Sequence, residues 1–180
     1  MKTVLAGVSL AALVGAAASA DVTYSFTNQT WAGFQFTEAF AAGTLQGSLT
    51  GASINVTLNA STSFTYADDL CIYVGPNPIA TGGALQVGGY SNLGASQRRY
   101  WPNGGSSAPG TTSVGTVSFN PVNFSGSASD LTVWVGNGYG SPSTSGTWTG
   151  SVTLIGVSQV PAPGALALLG LAGLATRRRR

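Results

Sequence analysis

Few side chains in this sequence can do chemistry, and their types narrow the choice early. There is no histidine, so Ser-His-Asp and Cys-His nucleophilic schemes are excluded, as are histidine metal ligands. The one lysine, Lys2, lies in an N-terminal targeting stretch, which leaves the body of the chain without an amine for Schiff-base chemistry. Cys71 is alone, between Leu70 and Ile72. It forms no disulfide within the chain and reads as a small buried apolar residue rather than a nucleophile. Carboxylates remain: Asp21, Glu38, Asp68, Asp69 and Asp130. A glycosidase needs two of them facing a cleft, about 5 to 9.5 Å apart. Glu38, as acid or base, with Asp69 or Asp130 is the pair on offer, but no local motif joins them, and catalysis ranks below binding. Asp68, Asp69 and Asp130 suit calcium better, as hard oxygen ligands on loops. They lack the dense Asp-x-Asp-x-Asn spacing of a dedicated calcium loop, and the competing reading is that they cap turns. No other cofactor is expected.

The most suggestive surface cluster is Arg98-Arg99-Tyr100-Trp101-Pro102-Asn103. Sugars offer apolar ring faces that stack on tyrosine and tryptophan, while arginine and asparagine supply planar donors to hydroxyls or acidic substituents. Arg98, Arg99, Tyr100 and Trp101 are therefore the candidate glycan-binding residues, with an acidic polysaccharide as the fitting ligand. The alternative is that both rings turn inward and the arginines solvate a loop.

The elements that must position these residues are strands. Between the ends, the chain is rich in Gly, Ser, Thr and Asn and nearly empty of Lys and Glu, a composition that favours strands and tight turns over helices. Alternation marks Val22-Tyr24-Phe26, Ile54-Val56-Leu58 and Val152-Leu154 as inward faces. Asp69-Leu70-Cys71-Ile72-Tyr73-Val74-Gly75 is echoed by Asp130-Leu131-Thr132-Val133-Trp134-Val135-Gly136. Both read as central strands, apolar on nearly both faces. Thr37 to Ala42 is ambiguous between a short helical turn and a strand, and the longest irregular region runs from Gly88 to Gly110. The expected fold is all-β: a single-domain antiparallel β-sandwich over residues 21–158. Its pattern resembles the jelly-roll domains appended to secreted bacterial proteases and surface proteins. No short threonine-bearing repeat runs through the chain, so the regular coils of an ice-binding face are not expected.

Both ends read as targeting signals. Lys2, an apolar run from Val4 to Ala18, and the small residues Ala18 and Ala20 before Asp21 form a secretory signal peptide over residues 1–20, for the Sec translocon and signal peptidase. At the other end, residues 159–180 hold Pro161-Ala162-Pro163, an apolar run from Gly164 to Ala175, and Arg177, Arg178, Arg179 and Arg180. As a helix the run reaches about 18 Å, short of a hydrocarbon core of roughly 30 Å. It suits a temporary inner-membrane anchor whose arginines stay on the cytoplasmic side. This tail resembles the PEP-CTERM sorting signal of Gram-negative bacteria, with Ala162 where that family carries glutamate. The resemblance implies a sorting protease of the exosortase type and delivery to the cell surface or extracellular matrix, in company with exopolysaccharide and biofilm systems. Without the two signals, Arg98 and Arg99 face five acids, a net charge of −3 where the whole chain carries +2. Nucleic acid is not an expected partner. The expected role is structural or adhesive, with weak exopolysaccharide binding and no enzymatic activity. The alternatives are a secreted carboxylate-based glycan hydrolase and a calcium-stabilised carbohydrate-binding module.

Overall fold

The computed structural model describes residues 21–78, 82–140 and 143–161. Ala18, Ala20, Ala162, Pro163 and Arg177 to Arg180, with the signal and anchor helices assigned to them, lie outside the described residues. Those described form β1 (Val22–Ala32), β2 (Phe36–Phe40), β3 (Leu45–Thr62), β4 (Leu70–Gly75), β5 (Leu85–Val87), β6 (Arg98–Arg99), β7 (Thr112–Ser125), β8 (Thr132–Asn137) and β9 (Ser145–Gln159). One 3₁₀ turn, Ala67–Asp69, precedes β4. The strands make a four-stranded sheet, β1-β9-β3-β7, and a five-stranded sheet, β2-β8-β4-β5-β6. All pairs are antiparallel except β5 with β6, a two-residue parallel contact that departs from the all-antiparallel expectation.

Both sheets send their apolar rows into one core. Ile54, Val56, Leu58, Trp148 and Leu154 meet Ile72, Val74, Leu85, Val133 and Val135 there, all essentially inaccessible to water. The two echoed segments become β4 and β8, paired side by side from Leu70 opposite Asn137 to Gly75 opposite Thr132. Their outer faces are covered as well, because Leu93 and Ala95 from the Gly88 to Gly110 loop close over Cys71, Tyr73 and Trp134. Burial on both faces is why these strands lack polar alternation. The ambiguous Thr37 to Ala42 stretch is strand through Phe40, with Thr37 opposite Val135.

Asn28 marks a bulge that sequence periodicity could not place. Phe26 lies opposite Gly150 and Gln29 opposite Trp148, so β1 holds one extra residue there, and Asn28 has φ +48°. The bulge reverses the in–out phase and turns Trp31 inward, 5.9 Å from Trp148. Across the outer face of the four-stranded sheet, Thr23, Thr153, Ser53 and Thr116 fall in one row.

The free edge of β7 is closed by side chains. Gln97 accepts from the Asn120 N–H at 2.9 Å and donates to its carbonyl at 3.2 Å; Asn103 does the same to Val114 at 2.8 and 2.6 Å. Each amide substitutes for a missing neighbour strand, the usual protection an exposed edge requires.

Register also sorts the molecule into two poles. Leu45 pairs with Gln159 and Val22 with Leu154, so both ends of the described chain leave from one pole. Thr62 and Ala32 both pair with Ser145 at the other, where the Ser63 to Asp69 connection crosses to β4.

Candidate functional site

The pole away from the chain ends gathers exposed aromatic rings. Among the described residues the exposed large hydrophobic side chains are Phe64, Tyr66, Tyr90, Tyr100 and Val114, with Phe64 and Tyr90 each 75% exposed and Tyr100 61%. Four of these five are aromatic, and all four line two adjoining hollows. One is bounded by Phe64, Tyr66, Asp69, Tyr90 and Tyr139. The other shares Tyr66, Asp69 and Tyr90 and adds Asp68, Tyr100 and Trp101. Exposed apolar clusters of this kind mark interaction surfaces more often than scattered single residues do.

Each ring is held outward by its loop. Ser63 and Phe64 have φ of +51° and +62°, a left-handed conformation that is an outlier for a residue as bulky as phenylalanine. The surrounding bonds impose it: the Thr65 N–H and Oγ1 both donate to the Thr62 carbonyl, and Ser61 Oγ donates to the Thr65 carbonyl at 2.7 Å. Strain fixed in this way concentrates at functional sites. Tyr90 follows Gly88 and Gly89, whose backbone bonds to Arg99 and Asp68 anchor the loop. Tyr139 follows Asn137, whose Oδ1 accepts its N–H at 2.9 Å, and its ring meets that of Tyr90 edge to face at 5.6 Å.

Two carboxylates floor the hollows. Asp69, only 5% exposed, accepts the Tyr66 N–H through Oδ2 at 2.7 Å, which closes the 3₁₀ turn. Burial pushes its pKa up from 3.8 to about 6, against the lowering effect of the Tyr66 bond. Asp68 is half-buried and also raised by burial. Its Oδ1 is buried and accepts no hydrogen bond from the protein. No family model, curated protein or solved structure matches this chain.

The predicted glycan cluster divides. Tyr100 lies in the second hollow, with the Arg98 guanidinium 4.7 Å from its ring centre. Trp101 is no exposed platform: it is 5% exposed and its Nε1–H donates to the Leu70 carbonyl at 2.7 Å. Gly88, at φ +75°, makes room for that bond, since a Cβ there would sit 2.2 Å from the indole nitrogen. The arginines are committed too. Arg98 Nη2 donates to the carbonyls of Gly89 and Tyr90, while Arg99 donates to those of Arg98 and Ser118.

Nor do the three aspartates form one metal site. Asp69 precedes the Leu70 end of the β4–β8 pair and Asp130 the Thr132 end, a separation above about 20 Å at strand spacing. Asp130 instead caps the turn after β7, accepting from the backbone N–H groups of Ser125, Gly126 and Ser127 and from Ser125 Oγ. These bonds, with the Ser125 hydroxyl foremost, hold its pKa below the ordinary value. Among the described residues no three His, Cys, Asp or Glu side chains group to hold a metal ion. Glu38 is exposed and opposite Trp134, which is opposite Tyr73. That places its Cα roughly 14 to 16 Å from those of Asp69 and Asp130, and neither hollow includes it. Cys71 is fully buried and burial pushes its thiol pKa up, as befits packing rather than reactivity.

Phe64, Tyr66, Tyr90 and Tyr139 are the functional candidates that sequence reasoning missed. A signal was present: Tyr90 in Gly-Gly-Tyr-Ser, Tyr139 in Gly-Tyr-Gly, and Phe64 in Ser-Phe-Thr are aromatic residues in turn-forming surroundings, where strand alternation gives them no inward face.

Proposed function

We propose that this chain is an exported cell-surface or matrix protein of a Gram-negative-type bacterium that holds polysaccharide in its aromatic cleft. In this reading the Sec translocon and signal peptidase act at Asp21, the tail is held briefly in the inner membrane, and an exosortase-like protease cuts near Pro161. The sandwich serves as a rigid mount. Its strand order, 1-9-3-7 facing 2-8-4-5, alternates successive strands between sheets for much of the chain, and we infer from it the wrapping of a jelly roll.

The observation that carries the proposal is the convergence of Phe64, Tyr66, Tyr90, Tyr100 and Tyr139 on one pole, opposite the exit of both chain ends. Aromatic faces stack on sugar rings, and tyrosine hydroxyls and carboxylates bond to sugar hydroxyls. A chain tethered at one pole presents the other to its surroundings. Glu38 lies outside both hollows, which favours binding over glycan hydrolysis at this pole.

Retention on the host's own exopolysaccharide tests this. Tyr90→Ala and Phe64→Ala are each expected to weaken retention about tenfold, the equivalent of one lost stacking contact, with melting temperature nearly unchanged. Retention equal to that of the native protein in both variants would remove the cleft from the proposal.

A further inference from the structure

We infer that the cleft selects a cationic sugar, seating the free ammonium of an unacetylated amino sugar among Phe64, Tyr66, Tyr90 and Tyr139 against the Asp69 carboxylate. This rests on the polysaccharide-binding reading and narrows its ligand. The first hollow, a cavity of about 170 Å³, is lined by those four rings and that one acid. Ring faces carry negative quadrupole density, and several around one carboxylate make a cage that favours a positive charge.

Charge at the site points the same way. Asp68 and Asp69 both border the second hollow. The cation beside them, Arg98, is held to the Gly89 and Tyr90 carbonyls and over the Tyr100 ring, and its single charge offsets only one of the two. A uronate placed here would face two carboxylates offset by one guanidinium that is held to the loop, which reverses the acidic-polysaccharide expectation drawn from Arg98 and Arg99. Asp68, at the edge of the adjoining hollow, adds a second negative charge close to the first. An ammonium carries three N–H donors and a charge that both carboxylates attract, whereas an N-acetyl group offers one donor and no charge.

Titration calorimetry of the full chain with three oligosaccharides of equal length separates the possibilities: a glucosamine oligomer, its N-acetylated counterpart and a uronic acid oligomer. The glucosamine oligomer is expected to bind at least about tenfold more tightly than the N-acetylated one, a difference of roughly 1.4 kcal/mol, with the uronate weakest. Asp69→Asn should abolish that preference. If this variant fails to fold, Asp68→Asn, at a half-buried position, is expected to reduce the preference severalfold. Equal or tighter binding of the N-acetylated or uronate oligomer would overturn charge selection and leave polysaccharide binding standing. A preference unchanged in both aspartate variants would overturn the carboxylates' part in it. Should no oligomer bind and Tyr90→Ala retain exopolysaccharide normally, the binding reading itself falls.

Discussion

Phe64 shows at the scale of one residue how stability and function are set against each other. Its left-handed backbone costs of order 1–2 kcal/mol for a residue with a Cβ, and the ring, 75% exposed, recovers little of it by burial. Phe64→Gly is therefore expected to raise stability in chemical denaturation by about 1 kcal/mol while weakening sugar retention. A loss of stability would mean that the ring packs against something. Asp69 carries a similar tension. Its folded pKa, about 6, lies above the unfolded 3.8, so the fold favours the protonated form. The resulting stability is fully present below about pH 4 and is lost as pH rises through 6, by about 2–3 kcal/mol. Asp68 on the same turn shifts in the same direction, and Asp130 at the far pole shifts oppositely, losing its contribution only below the ordinary carboxylate range. Melting temperature followed from pH 4 to 7 should fall in the native chain and flatten in Asp69→Asn; parallel curves would place the titrating group elsewhere. Trp101→Ala, by contrast, removes a buried indole and should cost about 3–5 kcal/mol. Residue types were legible in the sequence, including the absence of histidine chemistry, but side-chain direction was not. Arg98 to Trp101 is too short to show alternation, and the bond from Trp101 to Leu70 joins positions far apart in the chain.

Among the elements, β4 and β8 were the most legible, because a strand covered on both faces writes a continuous apolar run with no need of its partners. Their direct pairing was not written there, since register depends on turns and on the loop that covers them. The β1 bulge at Asn28 was hidden for the opposite reason: one inserted residue changes the phase without changing composition. Thr147 and Thr149 belong to no repeat in the sequence, yet Thr147 Oγ1 lies 2.7 Å from Thr30 Oγ1, and Thr149 Oγ1 accepts the Asn28 N–H at 2.9 Å. Rows of hydroxyls assembled from distant strands leave no sequence period. The Gly88 to Gly110 region was read correctly as mostly irregular, and its work includes the closure of β7. Gln97→Ala combined with Asn103→Ala should expose the backbone groups of Asn120 and Val114. Each bond is worth about 1 kcal/mol at most in these exposed positions, so the fold should survive. Light scattering is expected to show edge-to-edge association of the double variant, and a strictly monomeric product would mean that the β7 edge is protected by other means.

At the scale of the whole molecule the arrangement is polar. Strand β9 spans roughly 45 Å at ordinary strand rise, with the chain ends at one extremity and the aromatic cleft at the other. The sandwich class was legible from composition and alternation. The site was not, because it is built where four connections meet, after β3, β5, β6 and β8, and only the fold brings them together. Because Asp130 stands at the opposite pole from Asp68 and Asp69, with its oxygens already committed, a chelator is expected to leave the melting temperature unmoved. A fall of several degrees would restore a metal to the structure. The most direct measurement is NMR of the aromatic side chains during titration with fragments of the host exopolysaccharide. Shifts confined to Phe64, Tyr66, Tyr90, Tyr100 and Tyr139 are predicted. Unperturbed cleft signals, or shifts centred on the outer face of the four-stranded sheet, would contradict sugar binding at this pole.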